Sequence, residues 1–84
     1  MKQLVFAVYD SKAGIFGTPI FTPTQGIAER SFTDQANRPD SAMCMHPGDF
    51  TLFHLGEYDV ETGKLIPLET PKSIGLAQQF QRVE

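Results

Sequence analysis

The sequence predicts a single α+β domain over residues 1–84: a small antiparallel β-sheet of about four strands, one amphipathic helix at about residues 23–37 packed on it, and a short C-terminal helical turn. Three observations carry this expectation. Residues 3–9, Gln3-Leu4-Val5-Phe6-Ala7-Val8-Tyr9, form a near-continuous apolar run, the pattern of a strand in the middle of a sheet. Ala28, Phe32 and Ala36 recur at i, i+4 and i+8, with Ile27 and Ser31 widening the stripe, which is the period of a helix with one core face. Asp59-Val60-Glu61-Thr62-Gly63 separates two β-prone segments as a hairpin connection, with glycine where positive φ is needed.

The elements follow in order. After the first strand, Asp10 to Gly17 contains turn formers and two glycines and reads as an exposed loop. Thr18-Pro19-Ile20-Phe21-Thr22 is β-prone, but Pro19 has no N–H to give to a ladder, so the segment belongs at a sheet edge. Thr22-Pro23-Thr24-Gln25 has the form of a capping box with proline at the first helical position, and Thr24 is the rival N-cap. Pro39 biases Arg38 away from helical geometry and Asn37 suits a left-handed C-terminal position, so the helix should end near residue 37. Pro39 to Gly48 reads as a long connection packed down by Met43, Cys44 and Met45. In the second long strand, Phe50–Tyr58, alternation places Thr51, Phe53, Leu55 and Glu57 on one face and Leu52, His54, Gly56 and Tyr58 on the other. Lys64–Leu68 should return as its hairpin partner. In the tail from Pro71, Ile74, Leu76, Ala77 and Phe80 fit one helical turn docked on the sheet.

With 84 residues and 9.3 kDa, about 63% of the unfolded surface is expected to be buried, enough for one small core. No apolar run reaches the ~20 residues of a membrane helix, and the first apolar stretch is too short for a signal-peptide core. A soluble protein of the cytoplasm, with no membrane partner, is the expectation. A net charge of −3 and a pI near 5.2 exclude histone-like packaging of nucleic acid. The charges are nonetheless unevenly placed: Lys2, Lys12, Arg30 and Arg38 fall in the first half, and Glu57, Asp59, Glu61 and Glu69 crowd the second. One cysteine, Cys44, permits no internal disulfide.

No spacing in the chain specifies a chemistry. Gly14-Ile15-Phe16-Gly17 matches a bare GxxG, but it lies between β-prone segments rather than helices and reads as a turn. No GxxxxGK[ST] phosphate loop occurs. Cys44, His46 and His54 are three potential metal ligands where structural zinc needs four, and they read as ordinary side chains. The acidic group at residues 57–69 sits on and beside a hairpin, where carboxylates stay solvated and make poor general acids. Neither enzymatic activity nor a cofactor is expected. The one suggestive pattern is the interleaving of Tyr9, Lys12, Phe16 and Phe21, followed by Arg30 and Arg38, which is the composition of a single-strand nucleic-acid surface. The alternatives are a core role for Phe21 and pairing of Arg30 with Asp34 one helical turn on.

Taken together, Val8-Tyr9-Asp10-Ser11-Lys12-Ala13, Gly17-Thr18-Pro19-Ile20-Phe21, Ala28-Glu29-Arg30-Ser31-Phe32, His46-Pro47-Gly48-Asp49-Phe50-Thr51-Leu52-Phe53, Leu55-Gly56-Glu57-Tyr58-Asp59 with Thr62-Gly63, and Ser73-Ile74-Gly75-Leu76-Ala77 resemble the small nonstructural protein of gokushovirus-type phages of the Microviridae. The resemblance runs along nearly the whole chain. It implies a phage protein that is not a capsid component, acting in the bacterial host cytoplasm during synthesis of a circular single-stranded DNA genome. It brings no catalytic residues. The expected function is therefore single-stranded DNA binding in phage DNA replication, with Lys12 and Arg30 on phosphates and Tyr9 and Phe16 stacking on bases. The alternative is an adaptor that binds the replication initiator, the procapsid or a host factor and never touches DNA. A small core and a short edge also give two copies reason to pair, so a homodimer is expected.

Overall fold

A computed structural model describes residues 1–82. β1 (Lys2–Asp10) is the central strand, as its apolar run requires. One side of it pairs along its whole length with β4 (Phe50–Asp59), and the other pairs with β2 (Ile15–Phe16) and then β3 (Ile20–Thr22). β5 (Leu65–Leu76) pairs with β4 and forms the far edge, and every pairing is antiparallel. The five strands thus fill four positions across the sheet, because β2 and β3 are two pieces of one edge interrupted at Gly17-Thr18-Pro19.

Several boundaries differ from expectation for identifiable reasons. The 14–17 segment is not a free loop. Gly14, at φ 71, turns the chain so that Ile15 and Phe16 pair with Asp10 and Tyr9. α1 (Gln25–Ala36) is capped by Thr24, whose hydroxyl accepts from the Ile27 N–H at 3.2 Å, so Thr22-Pro23 lies outside the helix. The Thr22 hydroxyl instead donates to the Thr24 carbonyl at 2.7 Å. Asn37 is not left-handed, at φ −107, and closes α1 with its side chain: Nδ2 donates to the Thr33 carbonyl at 2.7 Å and to the Phe80 carbonyl at 3.1 Å. Within the 39–48 connection, a short α2 (Ala42–Met45) is capped by Ser41. β5 continues well past Leu68, passing through Pro67 and Pro71 because an edge strand can leave donors out. Only Ala77–Gln79 remains for the expected C-terminal turn.

One face of the sheet is closed. Phe6 and Leu52 meet Ala28, Phe32 and Ala36 of α1 and Ala77 of the C-terminal turn, with Leu4, Val8, Met43, Phe50, Ile74 and Phe80 packed around them. All the layers of this core lie on the side of β1 to which Leu4, Phe6 and Val8 point. The radius of gyration, 13.2 Å, exceeds the ~11.8 Å of a compact chain of this length, as expected when a sheet is covered on one side only.

The second face depends on a β-bulge. Val5 pairs with Gly56 but Phe6 pairs with His54, leaving Leu55 as an extra residue in β4, and on the other side Leu68–Pro71 of β5 are left unpaired. Strict alternation would put Phe53 and Tyr58 on opposite faces. The extra residue reverses the phase, so Tyr58 joins Phe53 on the open face while Glu57 turns to the helix side and approaches Lys2 at 3.9 Å. Immediately after the bulge, Gly56 is buried. A Cβ there would collide with the Ile66 carbonyl oxygen and stand 2.8 Å from the Pro67 Cα, both backbone groups. Gly56→Ala should therefore lower unfolding stability by about 1–3 kcal/mol, measured by chemical denaturation. Gly48→Ala, whose Cβ would meet only the flexible tip of Gln78 at 3.4 Å, should be close to neutral.

Candidate nucleic-acid interface

Alternation along β1 sends Gln3, Val5, Ala7 and Tyr9 away from the helix. The pairings then place Phe16 beside Tyr9, Phe21 beside Val5, Phe53 beside Ala7 and Tyr58 beside Gln3 on the same side. Both Tyr and three of the seven Phe of the chain thus share the uncovered face. They form two groups. Tyr9, Phe16 and Phe53 make one, with centroids 4.8, 5.5 and 6.2 Å apart and mostly edge-to-face contacts. Phe21 and Tyr58 make the other at 5.5 Å. Both groups arch over β1, which is why Ala7 is only 2% and Val5 7% exposed on a face with no second layer. Phe16 and Phe21 keep 42% and 44% of their surface in water.

No charged residue occupies a position of this face in β1, β4 or their paired neighbours. Charge lies at its two ends. Lys12 stands exposed on the turn joining Tyr9's strand to Phe16's, a turn held by the Asp10 carboxylate, which accepts from the Lys12 and Ala13 N–H groups at 3.0 and 3.3 Å. Lys12 also lines a depression with Asp10, Ala42, His46, Asp49 and Phe50, on the α2 side of the sheet, so it stands at the sheet's end and not among the rings. About 27 Å away along β1, Asp59 and Glu61 form the acidic turn. The Glu61 N–H donates to the Asp59 carboxylate at 2.9 Å and holds its pKa below the ordinary 3.8. At the Leu55 bulge, Val5, Leu55, Gly56, Leu65, Ile66 and Pro67 line an open, mainly apolar groove of about 420 Å³ that Glu57 also borders.

The structure brings Tyr9, Phe16 and Lys12 to one end of the sheet. It does not bring Arg30 there. Arg30 is exposed on α1, in the layer behind the sheet, and makes no ion pair with Asp34. Phe53 and Tyr58 complete the two ring groups: Phe53 arrives through the register of β4 on β1, which the sequence does not give, and Tyr58 escapes a reading by alternation because the Leu55 bulge is invisible to it. Phe21 stacks in the open rather than in the core. His54 stacks on Phe6 at 5.0 Å with Nε2 3.0 Å from the Gly56 carbonyl, away from Cys44 and His46 in the α2 region.

A family model described as Phage ORF5 protein matches residues 3–80, from β1 to just past the C-terminal turn. The chain belongs to the Phage ORF5 protein family. It is a phage protein, and its helices include none long and apolar enough to cross a membrane among the described residues. No curated protein and no solved structure matches it.

The depressed Asp59 pKa fixes the sign of an acid effect. Its contribution to the hairpin is present above the ordinary value near 3.8 and is lost as pH falls through the lower folded value. A carboxyl titration followed by NMR should place Asp59 below 3.8, and Asp59→Asn should loosen residues 59–64 at neutral pH, read as faster amide exchange at Glu61 and Gly63.

Proposed function

We propose that this chain is the nonstructural protein of a gokushovirus-type phage and binds single-stranded DNA during synthesis of the phage genome. One observation carries the reading: three rings, Tyr9, Phe16 and Phe53, converge on the open face of an antiparallel sheet, at the end where the turn between β1 and β2 carries an exposed lysine, Lys12. Unpaired bases have faces that stack on such rings whatever their sequence, whereas in a duplex those faces are already occupied. The uncharged ring surface and the distant acidic turn argue for binding led by stacking, with a small phosphate contribution from the Lys12 end. Arg30, behind the sheet, can reach only a strand that wraps around the edge.

Fluorescence anisotropy with labelled oligothymidine, at two salt concentrations and against a duplex of the same length, tests this. Phe16→Ala should weaken single-strand binding by about 1–3 kcal/mol. Lys12→Ala should flatten the log-log salt slope by roughly 0.7, and Arg30→Ala should change least. If the parent binds no oligonucleotide at low salt, the reading fails. The absence of charge on the ring face then favours the second reading, an adaptor that docks an apolar surface of the replication initiator, the procapsid or a host factor.

A further inference from the structure

We infer that two copies of this chain pack their ring faces together when no nucleic acid is bound, and that single-stranded DNA and the second copy compete for the same surface. The pairing stands on the geometry alone, while the competition rests on the DNA reading above.

Both sheet edges are unsuited to pairing with another copy. The β2–β3 edge is broken at Gly17-Thr18-Pro19, and the β5 edge contains Pro67, Pro71 and an unpaired stretch at residues 68–71. Such irregularities block the continuous ladder that edge-to-edge association needs. Association is left to the face. In a two-fold contact the same patch meets itself, so a charge within it would face its own kind; the paired positions of this face carry none, and Glu69, in phase with Leu65 and Pro67, sits in the unpaired, exposed stretch at the β5 margin. The available area is small. Four strands at ~4.8 Å spacing and a ten-residue β4 give at most roughly 600 Å² per copy, or about 1,200 Å² in all with the whole face covered, the lower bound of stable interfaces. That size matches a reversible dimer of modest affinity, which a competing ligand can open. Exposed Phe16, Phe21 and Leu65, at 42%, 44% and 64%, are the side chains with most surface to lose.

Sedimentation velocity of the full chain over a concentration series, with and without oligothymidine, reads both parts. The expected result is a shift from 9.3 kDa toward twice that mass at tens of micromolar, reversed by oligothymidine into complexes of one chain per oligonucleotide. Leu65→Asp places a charge on a side chain that is 64% exposed, and should weaken the dimer at least tenfold while leaving the thermal transition unchanged when both proteins are diluted to the monomer. Asp34→Lys, on the exposed side of α1, should leave the dimer intact. A parent that stays at 9.3 kDa throughout, or a Leu65→Asp variant that dimerises like the parent, overturns the pairing. A dimer that takes up oligonucleotide without dissociating overturns the competition. A dimer that takes up none defeats the DNA reading, and the competition with it, and leaves the pairing standing.

Discussion

The packing of Phe32 on Phe6 and Leu52 is the contact on which the rest of the molecule depends. Phe6 and Leu52 are the largest fully buried side chains, and Phe32, flanked by Ala28 and Ala36 one turn away on either side, brings α1 close enough to cover them. The alanines allow that close approach. A chain of 84 residues has one helix of useful length to spend on its sheet, so one face is sealed and the other is not. The C-terminal segment completes the seal through polar clamps: Asn37 holds Phe80 and Arg82, and the Gln81 side-chain amide donates to the carbonyls of Ala36 and Cys44 at 3.2 and 3.0 Å.

The open face is then organised by the Leu55 bulge. Removing the bulge in thought returns Tyr58 to the helix side and Glu57 to the ring side, which leaves Phe21 unpartnered and brings a carboxylate onto the apolar surface. One inserted residue thus does two things at once: it gathers the rings and keeps charge off them. Gly56, the only residue type that fits under the Ile66–Pro67 backbone, is the local condition for it. A surface of this kind discriminates by shape and polarity rather than by ion pairing. That is compatible with an acidic protein engaging nucleic acid through bases more than through phosphates.

What the residues reveal in advance, and what they hide, divides along the same line. The α1 stripe was readable from Ala28, Phe32 and Ala36 because helical burial leaves a period, and the hairpin was readable from Gly63, found at φ 75, because its turn needs that conformation. The outer face was readable only in part. Tyr9 and Phe16 lie close in sequence and pair across a tight turn, so their meeting is a local event. Phe53 meets them through the long-range register of β1 with β4, and Tyr58 comes to the same face through a break in alternation, which has no signature in residue type. Lys12 and Arg30 both belong to the first half of the chain, but the helix carries Arg30 to the opposite layer, a separation that linear proximity conceals. The length of β5 was hidden by Pro67 and Pro71, which mark chain breaks in a central strand and are tolerated at an edge.

The central claim is that the uncovered, ring-bearing face of the sheet is the binding surface. Chemical-shift mapping of labelled protein titrated with oligothymidine tests it most directly. Changes should concentrate on the side chains of Tyr9, Phe16 and Phe53 and on the backbone of residues 9–16, with α1 and the turn at residues 59–63 unaffected. Changes centred on the exposed side of α1 around Arg30, with the three rings unmoved, would contradict it.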